Sequence, residues 1–314
     1  MNADRPGTVG VLVMAYGSPA SPDDVEAYYT HIRRGRPPAP EQLADLRRRY
    51  DAIGGISPLA QRTEAQRAAI EQHLDELDPG RFVVRLGQKH AAPFVEDGVA
   101  SLADAGVDGI VGVVLAPHWS AASVGQYDGR AAEEAARRGL PYEGVERWAD
   151  LDAFVEHQAS SLKALLGRMP ARTKVVFTAH SLPERALQGD PYPDELFASA
   201  RAIATRAGLA AWGDWGLAWQ SAGATPEPWR GPDLLTVIDD LAETGRAEGL
   251  AVVAQGFTSD HLEVLYDLDV EAAGRAAERG LAFGRTEVVN ADPRVMRALA
   301  ERVAAVAGRL GRNG

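Results

Sequence analysis

The stretch "VVFTAHSLPERALQGDPYP", residues 175–193, joins an apolar run to a polar loop. Its first three residues are typical of a strand that is buried on both faces of a sheet. The run ends at His180 and Ser181, and Pro183 follows shortly after. A histidine here is either a hydrogen-bonded residue at a strand end or a catalytic base or metal ligand at the edge of an α/β sheet.

Short apolar runs of this kind alternate along the chain with longer segments rich in Ala, Arg and Glu. Seven runs predict strands: Gly10–Ala15, Phe82–Leu86, Ile110–Ala116, Lys174–Ala179, Leu217–Gln220, Leu250–Gly256 and Thr286–Val289. Between them the pattern predicts helices, among them Glu64–Leu77, Asp128–Arg138, His261–Arg279 and Pro293–Leu310. This alternation predicts an α/β fold with parallel sheets and helices on both faces.

The length of 314 residues and the number of predicted strands favour two doubly wound, Rossmann-like domains. We expect the first over residues 7–142 and the second over 143–287. The last helix, within 288–312, is expected to pack back on the first domain.

Composition excludes several classes of function. The net charge of −11 opposes binding to nucleic acid or to an anionic membrane, because the field of the whole molecule repels polyanions. The chain has no cysteine, so it forms no disulfide and no cysteine-ligated iron–sulfur cluster. No segment is apolar over a length that spans a bilayer, so we expect no integral membrane segment and a cytoplasmic protein.

Polar residues collect where the predicted strands end. Tyr16 closes the first strand, and His118, His180 and His261 each follow a later one. In open parallel sheets ligands bind beyond the carboxyl ends of the strands. Several histidines at one such edge favour a functional site over a purely structural role.

Three acidic residues, Glu263, Asp267 and Glu271, are spaced four apart in a predicted helix and would lie on one face of it. Like charges at this spacing destabilise a helix, and a divalent cation would relieve the repulsion. The alternative is a solvated acidic face that starts with a capping box between Asp260 and Glu263.

Basic residues are concentrated near the N-terminus. They are Arg33, Arg34, Arg36, Arg47, Arg48 and Arg49. Arginine suits carboxylate or phosphate recognition, and Ser57 followed by Pro58 looks like the start of a helix, which also favours an anion. The alternative is a charged solvent face beside an ordinary helix cap with Ser57 at its N-cap.

Eight segments together resemble the ferrochelatase family over nearly the full length. They are "VLVMAYGSP", "YYTHIRRGRPPAPEQL", "RYDAIGGISPLAQRT", "GQKHAAPFVED", "VVLAPHWSAASVGQYD", "TAHSLPERALQGDPYP", "WQSAGATPEPWRGPD" and "GFTSDHLEVLYDLDVE". The resemblance is greatest to the soluble bacterial branch, which inserts iron into coproporphyrin III. It implies a porphyrin cleft between the two domains.

The resemblance also implies roles for individual residues. His180 and Glu263 match the catalytic pair that face each other across the porphyrin cleft, and both are expected to handle the metal. Asp267 and Glu271 match the acidic row that continues from Glu263, which is either a metal route or a secondary cation site. Tyr16 matches the residue that approaches iron from the opposite face. The other matches are to residues that hold the porphyrin propionates: Arg33, Arg49, Tyr50, Ser57 and Tyr127. Which of His180 and Glu263 accepts the proton stays open.

The implied function is a ferrochelatase of haem biosynthesis that inserts Fe²⁺ into coproporphyrin III, releases two pyrrole protons and needs no cofactor. The expected partners are the porphyrin, ferrous iron and, transiently, neighbouring haem-pathway enzymes, with the enzyme a monomer. Two other classes remain open. One is a non-enzymatic haem- or porphyrin-binding protein, and the other is a chelatase for another divalent metal and tetrapyrrole.

Overall fold

A computed structural model describes residues 7–223 and 225–310. Within this part of the chain lie eight strands: β1 Val9–Ala15, β2 Phe82–Gln88, β3 Gly109–Val114, β4 Tyr142–Val145, β5 Thr173–His180, β6 Trp215–Gln220, β7 Gly249–Val253 and β8 Ala282–Arg285. The helices are α1 Val25–Ile32, α2 Pro40–Ala52, α3 Leu59–Leu77, α4 Val95–Asp104, α5 Val124–Arg137, α6 Asp152–Leu166, α7 Tyr192–Ala207, α8 Leu234–Thr244, α9 Leu262–Leu265, α10 Ala273–Glu278 and α11 Pro293–Ala307.

The chain folds into two compact units. Of the described residues, the first unit contains 7–47, 58–148 and 290–310. The second contains 48–57, 149–223 and 225–289. Residues 48–57, which the sequence assigned to the first domain, therefore pack with the second unit. No helix formed by the described residues is long and apolar enough to cross a membrane.

The first unit is built on a parallel sheet with the order β2-β1-β3-β4. Val9 of β1 pairs with Phe82 on one side and with Gly109 on the other. Every residue of β1 and β3 is buried, as expected for strands covered by helices on both faces. The core continues into α4 and α5 through side chains such as Leu102 and Tyr127.

The second unit repeats this plan with a parallel sheet in the order β6-β5-β7-β8. Val175 of β5 pairs with Trp215 on one side and with Ala251 on the other. The strand β7 is buried throughout, and the core around it extends to Ile238 and Leu268. The predicted α/β class with two parallel, Rossmann-like sheets is therefore confirmed.

The sequence located the central strands and the outer strands β2 and β6, but it missed β4 and β8, the outer strands at the opposite edge of each sheet. Thr286–Val289 is not a strand, and the edge strand β8 comes directly before it. The strand β4 was not predicted at all. β4 and β8 are four residues long and mostly only partly buried, so they lack the continuous apolar run by which buried strands are found.

The predicted continuous helix over His261–Arg279 is also wrong in detail. It is broken into α9, a π-helical turn over Asp267–Ala272, and α10. π-Helical turns of this kind occur frequently at functional sites. The predicted capping box does not form, because His261 occupies the N-cap of α9 without a side-chain capping bond. Ser57 is likewise not the N-cap of α3, since Pro58 takes that position.

Each sheet reverses its winding at one point. In the first unit the reversal lies between β1 and β3, and in the second it lies between β5 and β7. Crevices open at such reversals, beyond the carboxyl ends of the two strands. The expected site of the second unit therefore lies just beyond β5 and β7. His180 is the last residue of β5, and Glu263 lies in α9, which follows β7.

Candidate active site

His180 is the last residue of β5, where the strand leaves the sheet. Its Nδ1 lies 2.5 Å from the carbonyl oxygen of Ser181. A carbonyl only accepts hydrogen bonds, so Nδ1 carries the hydrogen and donates it. The other ring nitrogen, Nε2, is thereby left to face Glu263, 3.6 Å from Oε1.

Glu263 lies in the first turn of α9, on the segment that follows β7. Its backbone carbonyl accepts a hydrogen bond of 3.0 Å from the side chain of Gln220 at the end of β6. Its Oε2 lies 3.6 Å from Nε2 of His261. The carboxylate therefore lies between two imidazoles, that of His180 at the end of β5 and that of His261 at the N-cap of α9.

The sequence places His261 after a strand end but gives it no role, and the structure brings it next to Glu263. Its Nδ1 lies 2.9 Å from the carbonyl oxygen of Ser259 and donates to it, as His180 does to Ser181. Its position after a strand end was the only signal in the sequence. The immediate sequence motif gives no indication that its ring turns back toward Glu263.

The two fixed rings define what this site can do. With both Nδ1 atoms donating to carbonyls, neutral imidazoles would direct Nε2 lone pairs at the carboxylate of Glu263. The lone pairs and the carboxylate repel each other, and a proton or a cation between Nε2 and the carboxylate replaces this repulsion by attraction. The site is therefore suited to exchange protons against a divalent cation.

The charges of the pair shift both pKa values. Burial alone would lower the pKa of His180, but the charge of Glu263 and the hydrogen bonds to Glu263 and Ser181 outweigh it and raise that pKa to about 9. Burial acts to raise the pKa of Glu263, yet the two histidines hold it well below its usual range. Without a ligand, the pair is an imidazolium beside a carboxylate.

Asp267 opens the π-helical turn that follows α9, and only 8% of it is exposed. Its Oδ2 accepts a hydrogen bond of 2.5 Å from the hydroxyl of Ser221. Its Oδ1 lies 3.7 Å from Nη1 of Arg49. Burial, together with the charges of Glu263 and Glu271, raises the pKa of Asp267 to about 6. The hydrogen bond from Ser221 and the charge of Arg49 act in the opposite direction and limit this rise.

Of the four residues predicted to handle metal, the structure brings His180 and Glu263 together. Asp267 instead contacts Ser221 and Arg49, and Glu271 is near enough for its charge to act on Asp267. Over residues 7–223 and 225–310, no three His, Asp or Glu side chains form a cluster that could enclose a metal ion.

Tyr16 follows β1 in the first unit, and 42% of it is exposed. Its ring lies against that of His90, with 4.6 Å between the ring centroids. His90 in turn shares a hydrogen bond of 3.0 Å between its Nδ1 and that of His31. Burial, the charge of Lys89 and the neighbouring His31 and Arg130 lower the pKa of His90 to about 4, so a neutral imidazole supports the tyrosine ring.

Lys89 lies beside Tyr127, another predicted porphyrin-binding residue. Its Nζ is 5.0 Å from the centroid of the Tyr127 ring and donates a hydrogen bond of 2.7 Å to the side chain of Gln126. Burial and the charges of Arg130 and Arg34 lower the pKa of Lys89 to about 8. Lys89 and His90 follow β2, so their place at a strand end was visible in the sequence.

The remaining predicted porphyrin-binding residues lie in both units. Arg33, in the first, ends α1, and its guanidinium lies 5.7 Å from the ring centroid of Tyr29. Tyr50 and Ser57, in the second, are 3% and 6% exposed. Burial and the charge of Glu263 raise the pKa of Tyr50 above its usual range, so its hydroxyl stays protonated.

The fold is shared with solved structures of chelatases. SirB from Bacillus subtilis, solved with Fe³⁺, superposes with a TM-score of 0.58 and 14% identity, covering 96% of each chain. CbiX, described as the terminal enzyme of sirohaem biosynthesis in denitrifying bacteria, gives 0.54 and 13%, with 95% of this chain and 98% of that chain covered. At these identities the likeness defines the class of fold, a two-domain chelatase fold.

Sequence comparison defines the family within that class. The family model for ferrochelatase matches residues 8–307, so the chain belongs to the ferrochelatase family. The coproporphyrin III ferrochelatase of Bacillus subtilis is 46% identical, covering 96% of this chain and 98% of its own length. That of Anoxybacillus flavithermus is also 46% identical, covering 93% and 94%.

Proposed function

We propose that the protein is a coproporphyrin III ferrochelatase of haem biosynthesis. Family membership supports insertion of iron into a porphyrin, and the names of relatives such as the Bacillus subtilis enzyme support coproporphyrin III as the porphyrin. The observation on which the proposal most depends is the pairing of His180 with Glu263 at the reversal point of the second sheet.

The reaction exchanges two protons for one dication. The metal-free porphyrin carries two pyrrole N–H groups, and Fe²⁺ replaces both protons, so that two H⁺ leave for each iron inserted. Binding that distorts the flat macrocycle exposes the pyrrole nitrogens to the metal. A base next to the macrocycle is then needed to accept the protons.

His180 and Glu263 support a definite order of events. In the resting pair the charge of Glu263 keeps the imidazole of His180 protonated. Fe²⁺ that reaches Glu263 takes over as partner of the carboxylate, and its positive charge lowers the pKa of His180. His180 then loses its proton to solvent and becomes the base for the pyrrole protons, which it accepts and passes to solvent one after the other, while Glu263 leads the metal in.

Substrate choice is proposed to depend on polar contacts to propionates. Coproporphyrin III has four propionates, whereas protoporphyrin IX has two propionates and two apolar vinyl groups. The proposed contacts are Arg33, Arg49, Tyr50, Ser57 and Tyr127. Tyr16 is proposed to approach the iron of the product. A cytoplasmic location is proposed, and a chain without disulfides is compatible with it.

The test is anaerobic incubation of the protein with excess Fe²⁺ and coproporphyrin III, followed by absorption spectroscopy. We expect many equivalents of iron coproporphyrin per protein. Conversion that stops at one equivalent would instead identify a porphyrin-binding protein. Parallel reactions with Co²⁺, Ni²⁺ and sirohydrochlorin would expose a chelatase of another metal or tetrapyrrole.

A further inference from the structure

We propose that Asp267 is a positioning residue that holds Arg49 for a substrate carboxylate, rather than a ligand of the incoming metal. The proposal deepens the proposed function and rests on it. Asp267, Ser221, Tyr266 and Arg49 all belong to the second unit, so the contacts that support the proposal lie within one compact body.

Both carboxylate oxygens of Asp267 have partners. The hydroxyl of Ser221 donates to Oδ2 at 2.5 Å, and the guanidinium of Arg49 lies 3.7 Å from Oδ1. The side chain is 9% exposed, whereas that of Arg49 is 35% exposed. A metal would have to displace these partners to reach Asp267, whereas a ligand carboxylate can reach the exposed part of the Arg49 side chain.

Ser221 adopts a backbone conformation that a serine rarely takes. Its φ is +60°, in the left-handed region, which costs about 1 kcal/mol or more for a residue with a Cβ. Strain of this kind persists where the surroundings require it and is frequent at ligand sites. Here the conformation places the hydroxyl of Ser221 on Asp267.

Tyr266 supports Arg49 from a second side. The Cζ atom of Arg49 lies 5.0 Å from the centroid of the Tyr266 ring, a cation–π distance. The Tyr266 hydroxyl accepts a hydrogen bond of 2.7 Å from Nη1 of the neighbouring Arg48, and the residue is 6% exposed. The guanidinium of Arg49 is therefore oriented by a buried carboxylate and a buried ring.

The charges around Asp267 favour the same role. Glu263 and Glu271 both act on Asp267, so an unpaired carboxylate at this buried position would be unfavourable. The positive charge of Arg49 offsets them. Arginine held in this way is preorganised, which lowers the ordering cost when a carboxylate binds.

The test compares Asp267→Asn, Arg49→Ala and the double variant with the wild-type full-length protein. Binding of metal-free coproporphyrin III is measured by fluorescence, and KM for the porphyrin and for Fe²⁺ is measured separately. Asp269→Asn is the matched control, because Asp269 lies in the same π-helical turn but pairs with Arg285. Ser221→Gly removes the hydroxyl and relieves the backbone strain, so it tests the same idea without risk to folding.

We expect Arg49→Ala to weaken porphyrin binding about tenfold, the loss of one charge-assisted contact. Asp267→Asn should weaken it about fivefold and Ser221→Gly about twofold, while KM for Fe²⁺ changes less than twofold. In the Arg49→Ala background, Asp267→Asn should have no further effect on porphyrin binding. Asp269→Asn should match the wild type.

Two outcomes would overturn the inference. One is a KM for Fe²⁺ that rises several-fold in Asp267→Asn while porphyrin binding stays unchanged. The other is full additivity of the two substitutions, since residues that act through each other are not additive. A wild-type protein that binds no coproporphyrin III would instead reject the proposed function.

Discussion

Replacing Glu263 with Gln should shift the titration of His180, because the substitution keeps the shape of the side chain and removes its charge. At the observed 3.6 Å, two unit charges interact with about 4.6 kcal/mol at an effective dielectric constant of about 20. Since 35% of each side chain is exposed, solvent screens about half of this and leaves about 2 kcal/mol. At about 1.4 kcal/mol per pH unit, the pKa of His180 should fall by about 1.5 units.

The shift is measured by NMR titration of protein labelled in its histidine rings, without metal or porphyrin. The signal of His180 is assigned by its absence from His180→Gln. Glu287→Gln serves as the control, because Glu287 lies outside the site and should leave His180 unchanged. A His180 pKa in Glu263→Gln within about 0.3 units of the wild-type value would refute the electrostatic coupling on which the proposed proton exchange depends.

The same coupling predicts how stability depends on pH. The folded-state pKa of His180 is raised to about 9, above the ordinary value of 6.5. The pair should therefore stabilise the fold fully between about pH 4.5, the ordinary pKa of Glu263, and about pH 6.5, and this contribution should be lost as the pH rises through about 9. Denaturant unfolding should show the wild type losing about 2 kcal/mol relative to Glu263→Gln between pH 6 and pH 10. A constant difference across this range would contradict the reasoning.

Three further predictions concern activity. His180→Ala should reduce iron insertion at least a hundredfold while porphyrin affinity, measured by fluorescence, changes less than threefold; a near-wild-type rate would reject His180 as the base. Tyr16→Phe should alter the absorption spectrum of bound iron coproporphyrin more than the rate of insertion, and an unchanged spectrum would count against ligation by the phenol oxygen. The wild type should prefer coproporphyrin III over protoporphyrin IX by at least about tenfold in kcat/KM, and Arg33→Ala should narrow the gap; equal efficiency at low salt would reject propionate-based selection.

The sequence predicted the parts of the fold that depend on local pattern. Buried central strands such as β1 and β5 are recognisable because both faces must be apolar. β4 and β8 were missed because nearly all of their residues are only partly buried and their composition is mixed. The apolar pair Val288 and Val289 is buried without forming a strand, so burial alone did not identify secondary structure.

The candidate site, too, could be predicted only in part from the sequence. The sequence predicted the pair of His180 and Glu263, because His180 ends a predicted strand and the motif around Glu263 resembles that of the family. The contact between His261 and Glu263 depends on how α9 starts, and the contact between Arg49 and Asp267 joins segments far apart in the chain. Such contacts are set by tertiary packing, for which a single sequence contains no direct signal.

The position of α11 has a consequence for how the molecule is made. This helix buries one face in the first unit, against α3, β3 and β4, although it follows the second unit in the chain and is the last helix among the described residues. A ribosome therefore completes nearly all of the second unit before it supplies the helix that finishes the first. Until then, the apolar surface that α11 covers is exposed on the nascent chain. Truncation near the C-terminus should accordingly damage the half of the protein that is synthesised first.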